Sequence, residues 1–302
     1  MKVLFISSGN IKGGISPIIY NQGESLKSKN CQIEYFTINQ KGIFGYINHV
    51  FKLRNHIKSN KYDLFHAHYS LSAFVASLAG AKPLVTSLMG SDVLNKNFSR
   101  FIIRFLAKNT WKTTIVKSEE MKSILEIDSV KVIPNGVNMN LFKPMKKKES
   151  LHKLGWNSQK KHILFAGSIK RPEKNYDLFK FAVEYLNDEL VEIHTLENVE
   201  NSLMPILYNA SDVIVLTSKH EGSPNVIKEA MACNRPIVSV NVGDVKEVIK
   251  DTEGCYITSN NAIEIANKIK NAFQFESTEG RSKIKHLNSD TIADKLFEIY
   301  NN

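Results

Sequence analysis

The sequence predicts two doubly wound α/β domains, each built on a parallel sheet. At 302 residues the chain is too long for one ordinary core and suits two domains of about 100–200 residues each. Short apolar runs alternate with longer amphipathic stretches almost throughout, as strand–helix–strand units do. That rhythm breaks once, near residue 145, and then resumes.

In the first half the apolar runs that read as strands are residues 3–7, 32–37, 64–67, 84–87, 113–116 and 130–133. In the second half they are 162–166, 191–194, 213–216, 236–240 and 255–257. Between the halves, "PNGVNMNLFKPMKKKESLHKLGW" holds prolines, asparagines and a lysine run with no sustained periodicity, which reads as a connection. The expected division is 1–145, 146–285 and a closing helix over 286–302. Ligands of open parallel sheets bind at the carboxyl ends of the strands.

A hydrophobic fraction of 42% with 23% charged residues excludes a disordered or fibrous chain. The opening "MKVLFISSGN" reads as a strand, its apolar run being too short for a secretory signal. The run "LSAFVASLAGA" falls short of the ~20 apolar residues of a spanning helix. Cys31, Cys233 and Cys255 stand far apart with no CxxC, so neither a disulfide framework nor a zinc site is expected, and a reducing cytoplasm fits. Residues 1–150 hold 22 Lys and Arg against 9 Asp and Glu, whereas residues 151–302 hold 18 against 21. Such asymmetry points to an anionic partner of the first half. Nucleic acid fits poorly, because no helix-turn-helix, RNP-like or zinc signature accompanies the charge.

The chemistry concentrates in "SKHEGSPNVIKEAMACNRPIVS". A strand ends near Ser218, the chain turns through Glu221 and Gly222, and a helix follows in which Ser223 suits the N-cap and Pro224 the first position. The amides of Asn225, Val226 and Ile227 would then face a ligand at the positive end of the helix dipole. Glu229 falls at the edge of the apolar face formed by Val226, Ile227, Ala230 and Met231. On the residues alone, two solvated glutamates beside an ordinary helix account for the pattern as well as a binding site does.

The span from Glu221 to Glu229 resembles the E-x7-E signature of the retaining family 4 glycosyltransferases. So do "KVLFISSGNIKGGIS", "DLFHAHYSLSAFVA", "VKVIPNGVNMNLFKP" and "ILFAGSIKRPEKNYDLF", which follow the family's order over nearly the whole chain. The resemblance implies a GT-B fold, two Rossmann-like domains facing a central cleft, with the acceptor on the first and a UDP- or GDP-sugar donor on the second. It implies that Glu221 binds the donor sugar, aided by the backbone of Gly222, Ser223, Pro224, Asn225 and Val226, while Glu229 binds the ribose diol. Lys174 and Arg171, with the amides of Gly13 and Gly14, would face the diphosphate leaving group, where negative charge grows.

Three departures stand out, one of them a turn from Gly167 to Lys174 that is one residue longer than the family's. Ser168 replaces an arginine common in the family after the glycine at Gly167, leaving Lys170 or Arg171 to supply that charge. Met89 replaces a common histidine, although Gly90 and Asp92 keep the turn. His66 and His68 alternate along a strand and so share one face, as cleft residues or as structural ones. No D-x-D dyad accompanies the strand ends, so neither a metal nor another cofactor is expected.

Arg100, Arg104, Lys108 and Lys112 recur every four residues beside an apolar stripe of Phe101, Ile102, Phe105 and Leu106. They read either as a surface helix with its apolar stripe in the core or as a patch holding the chain peripherally on the anionic inner face of the membrane. The expected activity is retaining, metal-independent sugar transfer to a glycan or lipid-linked saccharide in cell-surface polysaccharide synthesis. The rivals are a GT-B nucleotide-sugar epimerase and a polybasic membrane- or glycan-binding protein with a vestigial donor site.

Overall fold

The computed structural model describes residues 1–10, 14–40, 42–94, 99–197 and 199–302. The chain forms two compact units, Met1–Asn135 with Ser289–Asn302, and Gly136–Asn288. The first unit runs β1 (Lys2–Ser8), α1 (Pro17–Lys27), β2 (Gln32–Ile38), α2 (Gly42–Ser59), β3 (Leu64–His68), α3 (Ser70–Ala79), β4 (Leu84–Ser87), α4 (Ser91–Leu94), α5 (Ser99–Asn109), β5 (Thr113–Val116), α6 (Glu119–Leu125) and β6 (Lys131–Val132). Its parallel sheet has the order β2-β1-β3-β4-β5-β6, so the direction of winding reverses between β1 and β3.

Local chemistry sets several helix starts. Pro17 opens α1 with its fixed φ and no amide to waste. Ser118 accepts from the Met121 amide at the start of α6, where Glu119 and Glu120 meet the helix dipole. Alternation along the strands then divides the sheet's two faces. Leu4, Ile6, Phe65 and Ala67 pack with Val50 and Leu53 of α2, Ala73 and Ala76 of α3, and Ile103 of α5. Phe5 and His66 face the other way, ring centroids 5.2 Å apart.

The second unit runs α7 (Lys147–Leu154), β7 (Lys161–Phe165), α8 (Tyr176–Leu186), β8 (Val191–Thr195), α9 (Met204–Ala210), β9 (Val213–Leu216), α10 (Asn225–Ala232), β10 (Ile237–Val240), α11 (Val245–Ile249), β11 (Cys255–Thr258), α12 (Ala262–Ala272) and α13 (Gly280–Lys283). Its parallel sheet has the order β11-β10-β9-β7-β8, and its winding reverses between β7 and β9. Ile163, Phe165, Val213 and Val215 pack against Phe179 and Ala182 of α8 and Ile265 and Ile269 of α12. Each strand expected from the apolar runs is present within one residue at either end.

The unit boundaries differ from the expected 145/146 and 285/286, falling after Asn135 and after Asn288. The physical reason is hydrogen bonding by an irregular segment, whose backbone groups need partners. Val137 donates its amide to Leu287 (2.9 Å), Arg281 donates to the carbonyls of Met139 (2.8 Å) and Phe142 (2.7 Å), and Asn209 to that of Lys143 (3.0 Å).

The chain ends in α14 (Ser289–Asn301), which packs in the first unit against α1 through Ile292, Ala293 and Leu296. Its Tyr300 hydroxyl lies 2.5 Å from His66 Nδ1, Lys112 donates to the Tyr300 carbonyl (3.0 Å), and Lys29 pairs with Asp294 (2.6 Å). Among the described residues no helix is long and apolar enough to cross a membrane. Tyr300→Phe leaves a buried His66 nitrogen without its partner and is expected to cost about 1–3 kcal/mol. The check is the urea midpoint of the variant; an unchanged midpoint would show that this bond does not hold α14.

Candidate active site

The reversal point of an open parallel sheet leaves a crevice at the strands' carboxyl ends. In the second unit the loops after β7 and β9 meet there. After Gly167 the chain makes a 3₁₀ turn over Pro172–Lys174, and Asn175 adopts φ 55 to swing into α8. Thr217, at the end of β9, donates to the carbonyls of Lys174 (3.1 Å) and Asn175 (3.0 Å), and the Lys219 amide donates to that of Glu173 (2.8 Å). The two loops are thereby joined before any side chain is considered.

Lys174 then reaches Glu221 with Nζ 2.5 Å from Oε1, both side chains being largely buried. Its aliphatic stem lies across Gly167, where a Cβ would come within 3.0 Å of Lys174 Cδ. A side chain at Gly167 would push the Lys174 stem aside. Arg171 instead folds back on Glu173 at 2.6 Å and is mostly exposed, while Lys170 lies 3.9 Å from Glu197. Of these three cations, Lys174 is the one the fold brings to Glu221.

The turn before α10 differs from the expected cap. The helix begins at Asn225, with Pro224 rather than Ser223 in the cap position and no side-chain cap bond from it. A buried charge has taken the hydroxyl. Lys228 is fully buried, its Nζ bonded to Ser223 Oγ and 3.0 Å from Asp244 Oδ2, and Ser223 also donates to Asp244 (2.6 Å). Burial pushes the Lys228 pKa down, opposed by the carboxylate of Asp244. Gly243 (φ 57) packs directly under this turn, where a Cβ would meet the Gly222 carbonyl at 2.7 Å. Gly222, Ser223, Asn225 and Val226 thus lie at the amide-rich end of α10, and Asn225 Oδ1 is buried with no hydrogen-bond partner among the described residues.

Glu229 sits one turn further along, accepting from the Tyr208 hydroxyl at 2.7 Å. Part of its surface reaches solvent, yet the protein surrounding the carboxylate raises its pKa to about 7 by desolvation; Tyr208 and Lys228 pull the other way.

In the first unit the corresponding loops follow β1 and β3. Gly14 has φ 77, and Gly13 lies outside the described residues. His66 and His68 do share a face, with rings stacked at 4.3 Å, and burial pushes both pKa values down, that of His68 to about 3. His66 is held between Tyr300 and Ser87 (2.9 Å). Asp92 ties its turn together, accepting from the amides of Gly90 (2.9 Å), Met89 (3.0 Å) and Ser70 (3.1 Å), while Met89 stays partly exposed.

The expected basic patch is rearranged. Arg100 donates to the Val93 carbonyl (2.8 Å), Arg104 to those of Leu125 (3.0 Å) and Ile124 (2.9 Å), and Lys112 to that of Tyr300, leaving Lys108 exposed. These side chains satisfy carbonyls at helix ends, which carry partial negative charge. Phe101 and Phe105 of the expected stripe are exposed, whereas Ile103 is buried in the core and Leu106 and Ala107 pack against it.

Among the described residues His162, Glu192 and His194 form a grouping able to hold a metal ion, their ligand atoms lying within 4.8 Å of one another. It begins at the amino end of β7, away from the Lys174–Glu221 loops. His194 stacks on Trp156 and bonds His162 at 3.0 Å, an arrangement packing alone explains.

A family model described as "Glycosyl transferases group 1" matches residues 184–274, and one described as "Glycosyl transferase 4-like" matches residues 17–119. The chain belongs to the group 1, family 4 glycosyltransferases. Its similarity to the putative teichuronic acid biosynthesis glycosyltransferase TuaC of Bacillus subtilis (strain 168) is 25% identity over 265 residues, covering 78% of this chain and 65% of TuaC. An Escherichia coli relative named UDP-Gal:alpha-D-GlcNAc-diphosphoundecaprenol alpha-1,3-galactosyltransferase is 25% identical over 296 residues, 81% of this chain and 76% of that protein. Among solved structures, Anabaena Alr3699/HepE in complex with UDP and glucose matches with TM-score 0.79 and 20% identity over the whole of both chains. Sucrose-phosphate synthase (tll1590) from Thermosynechococcus elongatus matches with TM-score 0.80 and 17% identity over 100% of this chain and 98% of that one. The fold is GT-B.

In this glycosyltransferase, sequence reasoning missed Lys228, Asp244, Gly243 and Tyr208, which support the Glu221 and Glu229 positions. A signal existed in Lys228, a lysine on the helix of an otherwise apolar stretch, and in the Gly243–Asp244 pair after a buried strand. Tyr69 was missed too, a non-glycine residue at φ 78 immediately after β3. The raised Glu229 pKa has a sign that can be checked. The native state binds more protons than the unfolded chain between pH 4.5 and about 7, so stability falls as pH rises through that window. At ~1.4 kcal/mol per unit the loss is on the order of 3 kcal/mol. Thermal melts at pH 5 and pH 8 are expected to separate more in the wild type than in Glu229→Gln; equal separations would show that Glu229 is not the group responsible.

Proposed function

We propose that this chain is a retaining, metal-independent glycosyltransferase that moves a sugar from a UDP- or GDP-sugar to a glycan or lipid-linked saccharide in cell-surface polysaccharide synthesis. The observation that carries the reading is the 2.5 Å Lys174–Glu221 pair at the reversal point of the second sheet, beside the first amides of α10. Glu221 accepts from hydroxyls of the donor sugar, and Glu229 takes the ribose diol with its two acceptor oxygens. Lys174 keeps one N–H on Glu221 and offers the others to the diphosphate, where charge develops as the C1–O bond breaks. Arg171 can join it by releasing Glu173. A Lys cation at the leaving group does what a divalent ion would otherwise do.

Glu221 is engaged by Lys174, so it serves better as a fixed acceptor than as a free nucleophile. That favours same-face displacement. The acceptor oxygen bonds to C1 as the phosphate oxygen leaves, and the acceptor's proton passes to that phosphate oxygen. The UDP and glucose of the HepE structure, and the UDP-Gal in the E. coli relative's name, favour uracil as the base. That relative's diphosphoundecaprenol acceptor supports a lipid-linked saccharide bound by the first unit, with the enzyme on the cytoplasmic face of the membrane.

A thermal-shift panel of UDP-, GDP- and ADP-sugars is expected to single out UDP-sugars in the wild type, with most of the effect lost in Glu229→Ala. Lys174→Ala is expected to lower kcat by about 10²–10³, the usual scale for one preorganised charge-stabilising group, and EDTA to leave turnover unchanged. NMR of the product's anomeric centre tests retention; an inverted centre would overturn it.

A further inference from the structure

The first unit has two helical layers, and they differ in what they show to solvent. Helices α2, α3 and α5 cover one face of the sheet, and Trp111, just beyond α5, donates to Ser77 of α3 at 2.9 Å. Of the large apolar side chains exposed in this unit among the described residues, only Tyr20 lies outside that layer; Phe44, Ile47, Phe51, Leu71, Leu78, Phe101 and Phe105 all lie in it. Phe44 is 89% exposed, Phe101 69% and Leu78 63%. Phe44, Ile47 and Phe51 recur at i, i+3 and i+7, a stripe on the outer side of α2. Between α2 and α3 runs a groove of about 380 Å3 lined by Tyr46, Ile47, Val50, Leu71, Phe74 and Leu78.

The charge on the same helices has one sign. Across α2, α3 and α5 stand Lys52, Arg54, Lys58, Arg100, Arg104 and Lys108, with no Asp or Glu. Lys52, Lys58 and Lys108 are exposed; Arg54 donates to the Leu78 carbonyl (2.6 Å) and Arg104 pairs with Glu126 (2.9 Å). A second copy of the chain would bring like charges together on this face. A surface of apolar chains under anionic headgroups complements both features at once.

We propose that the α2–α3–α5 face is a membrane-docking surface, which seats Phe44, Ile47, Phe51, Leu71 and Leu78 in the interfacial zone of an anionic lipid bilayer. The exposed lysines meet the headgroups. Phe44 and Leu71 stand at the first turns of α2 and α3, hence at the carboxyl end of the sheet, the same end as the loops after β1 and β3. A saccharide whose lipid is anchored in that bilayer is then presented to those loops. The inference rests on the proposed lipid-linked acceptor, and it places the attachment in apolar insertion rather than in the basic row Arg100, Arg104, Lys108 and Lys112.

The test is flotation of the full chain with vesicles of phosphatidylcholine alone and with 30 mol% phosphatidylglycerol added (about a third anionic), against the variants Phe44→Ser/Phe51→Ser and Phe44→Trp. Wild type is expected to float with the anionic vesicles, and Phe44→Ser/Phe51→Ser to lose at least about tenfold in partitioning while keeping the UDP-sugar thermal shift of the second unit. Phe44→Trp fluorescence, read against wild type, is expected to be quenched by brominated lipid in the same vesicles. Wild type and double variant floating equally, or Phe44→Trp unquenched, would overturn this face and leave the lipid-linked acceptor standing. No flotation of a wild type that still responds to UDP-sugar would remove the membrane-borne acceptor as well. A wild-type dimer in light scattering that the double variant dissolves, with no flotation, would assign the face to a second copy instead.

Discussion

A buried ammonium organises the loops at the carboxyl end of the second sheet. Lys228 has no water to hydrate it, and an isolated charge in that position would be prohibitive. Asp244 and Ser223 therefore have to be where they are, and holding them there ties the Glu221–Pro224 turn to the loop after β10. Gly243 permits the approach, because any side chain at φ 57 would strike the Gly222 carbonyl. The buried pair adds little net stability by itself, since desolvation offsets much of its attraction. Its effect is conformational: it fixes where α10 points its amides and where Glu221 stands.

A second constraint comes from topology. The winding of the sheet reverses between β7 and β9, so the loops that leave those strands separate and open a crevice. Thr217 bridges that crevice at its floor, and the Lys174–Glu221 pair spans it above. Gly167 belongs to the same device, since its missing side chain is the path of the Lys174 stem. Two glycines, a threonine and two opposite charges thus tie the turn that carries Lys174 to the loop that carries Glu221.

The first unit uses its chemistry-bearing residues differently. His66 and His68 look reactive in a linear reading, but α14 closes over His66 through Tyr300, and burial keeps both rings neutral. The arginines of α5 are likewise committed, completing the carbonyl ends of α4 and α6. Turning those charges inward turns Phe101 and Phe105 outward, so one rearrangement explains both departures from the expected helix.

The period of the apolar runs determined the strands and their parallel α/β order, because burial on both faces of a parallel sheet demands continuous Val, Ile and Leu. The E-x7-E spacing and Lys174 were singled out through the family resemblance, since the residues alone do not distinguish them from solvated charges beside an ordinary helix. What the sequence could not reveal depended on contacts distant along the chain. Ser223 reads as a helix cap until Asp244 and Lys228, 21 and five residues away, compete for its hydroxyl. The unit boundary reads as residue 145 until Arg281 captures the carbonyls of Met139 and Phe142. A helical stripe does not say which of its two sides faces the core. For α5 only the tertiary structure decided that, because its arginines can reach the carbonyl ends of α4 and α6 only once those helices pack beside it.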